Sequence, residues 1–190
     1  MRFTETPLPR VYLIDVEYAE DERGWFARGW CRKEFEAHGL NAAFVQCNLS
    51  FTRRRHTIRG LHYQVAPNSE AKLVRCTRGA MYDVVVDLRP GSPTYKQWFG
   101  VELSDSNRRM LYVSEGCAHG FQTLVDDTEV FYPVTGFYAP ESERGVRWDD
   151  PAFGIVWPAA PHRIVSAKDR RWPDHADEPS VRALSGGDSR

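Results

Sequence analysis

Short runs of β-branched and aromatic residues, each ended by glycine, proline or a polar turn, recur along most of this 190-residue chain and leave little room for helix. Residues 11–14, 43–46, 57–64, 72–76, 81–88, 98–103, 109–113, 120–124 and 130–134 all read as strands on this criterion. One helix is expected, over residues 32–38, because Gly39 stands where a left-handed C-terminal cap belongs. With 14 glycines and 12 prolines to turn the chain, strands this short and this evenly spaced predict an all-β fold, a sandwich or jelly-roll barrel.

A chain of this length buries roughly 70% of its unfolded surface as one domain, so residues 1–170 are expected to form a single unit. Residues 171–190 are polar and aperiodic, and read as a mobile tail. Lys plus Arg number 25 against 26 Asp plus Glu, a formal net charge of -1. That balance argues against nucleic acid or an anionic membrane as the main partner. No run approaches the ~20 apolar residues of a membrane span, so a soluble, cytoplasmic protein is expected. Cys31, Cys47, Cys76 and Cys117 stand singly, without a CxxC pair, as reduced packing residues do.

The chemistry-bearing residues emerge where polar side chains interrupt this pattern. Arg59 and His62 share the apolar segment Thr57–Gln64. Strict alternation would send them to opposite faces, but Gly60 between them can reset the register through a bulge, turning both into one cavity. In residues 71–76, Lys72 shares a face with Val74 and Cys76, so its amine can point inward and stabilise a developing oxyanion such as an enolate. Tyr132 shares a face with Val130 and Val134, and its hydroxyl can give or take a proton; a buried tyrosine is more often a packed aromatic with one satisfied hydroxyl, so periodicity alone does not single it out. His119 lies in a glycine-flanked turn and suggests a metal site with His62, yet the second ligand of an HxH pair is absent, since Tyr63 and Gln64 follow His62.

Longer motifs carry a specific resemblance. Arg59-Gly60-Leu61-His62-Tyr63-Gln64, Lys72-Leu73-Val74-Arg75, residues 85–94, Glu115-Gly116 through His119-Gly120-Phe121, and residues 143–151 occur in an order that resembles the dTDP-4-dehydrorhamnose 3,5-epimerase family, over Leu8 to Asp169. The resemblance implies a cupin-type jelly roll and a homodimer. It also implies inversion of carbons beside the 4-keto group of a nucleotide-diphosphate 6-deoxyhexose, with neither metal nor cofactor. It gives His62 the role of base, Asp169 that of the carboxylate orienting it, Lys72 the enolate oxygen and Tyr132 the acid on the opposite face. Arg23 and Arg59 become diphosphate contacts, Gln46 and Asn48 a polar strand facing the substrate, and Phe26 and Tyr138 platforms for the base. His119, Glu143 and Lys168 complete the expected substrate contacts.

Departures from the family pattern touch the substrate rather than the reaction. Trp25-Phe26-Ala27 leads to Arg28 where an acidic residue is usual, Cys47 and Leu49 flank Asn48, and Pro133 follows Tyr132, removing one N–H donor. The base is therefore open among thymidine, cytidine and guanosine, and a single-site 3- or 5-epimerase stands as an alternative to the 3,5-enzyme. A non-catalytic nucleotide-sugar-binding cupin is a further alternative from another class.

Overall fold

Two sheets face each other in the computed structural model, which describes residues 1–175. The first has the order β1 (Arg2–Glu5), β2 (Tyr12–Asp15), β10 (Met110–Val113), β7 (Lys72–Arg78), β12 (Thr128–Val134) and β5 (Gln46–Thr52). The second has the order β13 (Glu143–Gly145), β6 (Thr57–Gln64), β11 (Cys117–Thr123), β8 (Ala80–Asp87) and β9 (Trp98–Ser104), with β14 (Ile164–Val165) parallel to β6. β3 (Tyr18–Asp21) and β4 (Gly24–Ala27) form a separate two-stranded hairpin.

Alternation sorts side chains into three apolar layers. Val74, Cys76, Leu111 and Val130 of the first sheet meet Met81, Val85, Leu103 and Phe121 of the second in the sandwich interior. On the outer side of the second sheet, Ile58, Leu61, Val84 and Val86 are covered by Phe153, Trp157 and Val165 of the C-terminal segment. On the outer side of the first, Ile14, Leu73 and Met110 are covered by Phe35 of α1 (Arg32–Ala37). Both faces of β8 are thus largely buried, which explains its nearly continuous apolar sequence, as are both faces of β7 at Leu73 and Val74; each fully buried valine or leucine contributes roughly 1.5–3 kcal/mol relative to exposure.

The all-β jelly roll agrees with the expected fold class. The helix ends as foreseen, with Gly39 at φ 68 and its N–H on the Glu36 carbonyl. The strand expected over residues 43–46 begins only at Gln46, because the Ala43 N–H is taken by the Asn41 side chain. Within the polar stretch expected from residue 171 as a tail, residues up to 175 are ordered against the domain. Trp172 packs on Gly145, and His175 bonds Tyr95 and Asp150. The rest of that expected tail, from residue 176, lies outside the described residues. Among the described residues no helix is long and apolar enough to cross a membrane.

Candidate active site

β6 does what alternation alone forbids. Ile58 and Leu61 both join the outer apolar layer, three residues apart, and Arg59 and His62 both turn to the inner side and line one cavity. The pairing with β11 shows the reset directly: His62 lies opposite His119 and Arg59 opposite Phe121, so three steps on β6 match two on β11. Gly60 makes this possible. Its φ is +114, and a Cβ there would come 2.6 Å from the Gly120 Cα and 2.7 Å from the His119 carbonyl oxygen, so the two strands touch backbone to backbone.

A cavity of ≈ 480 Å³ opens between the sheets, lined by Arg59, His62, Lys72, His119, Tyr132 and Asp169 among others. A neighbouring one of ≈ 270 Å³ shares His62, Lys72 and Tyr132 and adds Gln46, Asn48 and Glu143. Together they have the size of a small-ligand site. His62 belongs to the second sheet and Tyr132 and Lys72 to the first, so the two proton-transfer candidates project from opposite walls.

The His62 ring is held by Asp169, with Nε2 2.7 Å from the Asp169 Oδ1. Asp169 comes from a 3₁₀ turn (Asp169–Arg171), and is fixed by the Gly60 N–H at 3.4 Å and by its own N–H on Ser166 Oγ at 3.0 Å. Burial pushes the Asp169 carboxyl up, but the His62 hydrogen bond and charge, with Ser166 and Gly60, outweigh it and hold it below the usual range. An ionised Asp169 accepts a hydrogen bond from the Nε2–H and leaves the Nδ1 lone pair of His62 as the basic one.

Lys72 is inward and buried, as its face predicts, and its ammonium is paired with the Glu70 carboxylate. Tyr132 packs against the interior layer. Burial first, then the Glu70 charge, push its phenol up against the opposing effect of Arg59, so the hydroxyl keeps its proton. Arg59 donates to Thr52 Oγ1 at 2.9 Å and to the Phe51 carbonyl at 3.1 Å, contacts that fix the guanidinium without neutralising it. His119 forms a second histidine–carboxylate pair, its Nε2 2.7 Å from Asp83 Oδ1. Asp83 is fully buried, its carboxyl is pushed up by that burial, and its Oδ2 has no hydrogen-bond partner among the described residues.

At the cavity mouth a chain of polar contacts links further expected residues. Tyr138 donates to Glu143 at 3.1 Å, and Lys168 donates to the other oxygen of Glu143 at 2.5 Å. The Gln46 amide donates to Asn48 at 3.4 Å and accepts from the Tyr138 N–H at 3.1 Å. Two expected contacts are not brought here. Arg23 and Phe26 ride on the β3–β4 hairpin, where Arg23 is bound to Asp21 and Phe26 is 79% exposed, and neither lines the cavities of its own chain. Among the described residues, no group of three or more His, Cys, Asp or Glu is arranged to hold a metal ion.

Two acidic residues escaped the sequence reading, the buried Asp83 and the largely enclosed Glu70. Asp83 alternates with Met81 and Val85 on the inward face of an apolar strand. Glu70 precedes Lys72 by two, the spacing that puts both on one side of an extended chain. The same alternation argument that selected Lys72 would have found each.

Comparisons with known proteins agree over nearly the whole chain. The family model described as dTDP-4-dehydrorhamnose 3,5-epimerase matches residues 5–177. A protein of that name from Sinorhizobium fredii is 44% identical over 179 residues, covering 94% of this chain and 92% of its own. The crystal structure of the dTDP-4-dehydrorhamnose 3,5-epimerase from Bacillus anthracis with TDP and PPi bound has a TM-score of 0.86 at 42% identity, covering 90% of this chain and 98% of that one. That of the dTDP-6-deoxy-D-glucose-3,5-epimerase from Legionella pneumophila in complex with dTDP-4-keto-L-rhamnose has a TM-score of 0.83 at 37% identity, covering 89% of each. The fold, the cavity chemistry and the length of these matches agree: this chain belongs to the dTDP-4-dehydrorhamnose 3,5-epimerase family.

Proposed function

We propose that this protein is an isomerase that converts dTDP-4-dehydro-6-deoxyglucose to dTDP-4-dehydrorhamnose by inverting C3 and C5. The carrying observation is the pairing of His62, backed by Asp169, with Tyr132 on the opposite wall of one cavity. A proton beside a ketone is acidic because the electron pair it leaves behind becomes an enolate. His62 takes that proton through Nδ1, with general-base help worth typically 10²–10⁴-fold. Lys72 neutralises the enolate oxygen, and Tyr132 returns a proton from the other side, which inverts the carbon. Both groups then exchange with solvent and reset. Every step moves a proton, so the reaction needs no cofactor.

The shared residues His62, Lys72 and Tyr132 put the sugar where the two cavities join, and the Tyr138–Glu143–Lys168 chain suits the nucleotide end. The reading also includes a second copy of the chain, since Arg23 and Phe26 stand on an exposed hairpin away from their own cavity, and it puts the enzyme in the cytoplasm.

The test is proton NMR in heavy water with dTDP-4-dehydro-6-deoxyglucose. Loss of the C3 and C5 signals with appearance of product is expected for the wild type. His62→Ala should keep its fold and lose exchange at both carbons. Exchange at one carbon alone would make the enzyme a single-site epimerase. No exchange in the wild type would leave a binding protein or an enzyme for another nucleotide.

A further inference from the structure

The ion pair between Glu70 and Lys72 is unexplained by stability. Both side chains are about nine-tenths buried, at 10% and 8% exposure. Replacing a buried pair by apolar residues is commonly neutral or stabilising, so a pair placed in a cavity wall calls for another reason. Its surroundings are built. The backbone after Glu70 is clamped by the Ala71 N–H on Thr135 Oγ1 at 2.8 Å and by the Thr135 N–H on the Ala71 carbonyl at 3.0 Å. The preceding loop is fastened by buried Gln64, which donates to the Asn68 carbonyl at 2.9 Å and to that of Phe137 at 3.1 Å. Gly136 leaves room for the Glu70 side chain: a Cβ on it would lie 3.2 Å from the Glu70 Cβ.

We propose that Glu70 is a positioning residue for the epimerisation site, its carboxylate holding the Lys72 ammonium at the junction of the two cavities, where the sugar ketone must lie. The proposal rests on the epimerase reading. Lysine carries a compact charge on a flexible four-carbon stem, and without an anchor it pays rotamer entropy each time it must meet the enolate oxygen. Glu70 pays that cost in advance, so its contribution belongs to the step that makes the enolate and not to ground-state binding. The same carboxylate lines the smaller cavity together with Tyr132, whose phenol is kept protonated by burial first and by the Glu70 charge second.

Kinetics of the full chain test this. Wild-type exchange at C3 and C5 is the control, and its absence would overturn the epimerase reading and this inference together. With exchange present, Glu70→Ala should lower kcat by about 10- to 100-fold, the cost of a catalytic group displaced by about an ångström. KM should stay within about threefold, since only transition-state binding is lost. The primary isotope effect on substrate deuterated at the reacting carbon should rise, because proton removal becomes more rate-limiting. Glu70→Gln, which retains an oxygen acceptor, should recover part of kcat. Since Glu70 acts through Lys72, the double variant Glu70→Ala/Lys72→Ala should be no slower than Lys72→Ala. An unaltered isotope effect in Glu70→Ala, or losses that multiply in the double variant, would overturn the proposal. If Glu70→Ala melts at the assay temperature, Glu70→Gln decides alone: its isotope effect must exceed that of the wild type.

Discussion

At the scale of single residues, the His62–Asp169 pair separates two jobs that one carboxylate performs. In the proposed reaction its shape selects the histidine tautomer, and its charge stabilises the imidazolium that would form when the substrate proton arrives. Asp169→Asn keeps most of the shape and removes the charge. Its kcat should fall about 100-fold or more, on the scale of general-base catalysis, with circular dichroism unaltered; a fall of less than about threefold would mean that orientation alone suffices. Lys72 could be selected from alternation because it interrupts an apolar face, and His62 from Gly60 beside it, whereas alternation alone left Tyr132 indistinguishable from a packed aromatic. Asp169 could not, since 107 residues separate it from His62 and only the family resemblance joined them. Glu70 and Asp83 were available to the same alternation rule, and were passed over because a carboxylate next to a turn or inside a valine run carries no motif of its own.

Among elements, the strands foreseen in sequence are mostly those buried on at least one face. β5 was foreseen only at Gln46, its polar residues 46, 48 and 50 alternating with exposed ones, and the other unforeseen strands are short and mostly exposed. β1, β3 and β4 show almost no buried position, and β13 and β14 have three residues and two, so none offers a period to read. The turn after β8 is held by chemistry rather than by period. Asp87 accepts from the Arg89 guanidinium at 2.7 and 2.8 Å and from the hydroxyls of Ser92 and Thr94, both at 2.6 Å. Burial pushes its carboxyl up, but these donors outweigh it and lower it from 3.8 to about 2. A carboxyl depressed in the fold stabilises it above the unfolded value, and that stability disappears as pH falls through the folded one. The shift corresponds to roughly 2 kcal/mol. Asp87→Asn should therefore melt about 4–8 °C below the wild type at neutral pH. The gap should narrow as pH falls from 3.8 toward about 2, the two values that bound the titration. A gap of constant size across that range would show that the turn is held without the charge.

For the whole molecule, the all-β class followed from strand spacing alone, but the placement of Arg23 and Phe26 did not, because a sequence does not say which copy of a cavity a hairpin serves. The hairpin exposes Tyr18 at 50%, Trp25 at 43% and Phe26 at 79%, and Arg108 stacks over the rings of Trp25 and Tyr18. β5, at one end of the first sheet, turns Leu49 and Phe51 outward at 73% and 46%. An edge strand and a hairpin that both show apolar faces are costly in a lone chain and are covered in an assembly. The proposed homodimer would cover them and would bring the Arg23 cation within reach of a diphosphate. Sedimentation equilibrium should give twice the chain mass of 21.8 kDa. The paired change Trp25→Ser and Phe26→Ser should shift the protein toward monomer and raise KM for the nucleotide sugar more than it lowers kcat, if Phe26 serves as the proposed platform for the base, a role that takes no part in proton transfer. A wild-type monomer with full activity would refute the assembly. A dimeric variant with wild-type KM would instead keep the assembly and remove the hairpin from the site.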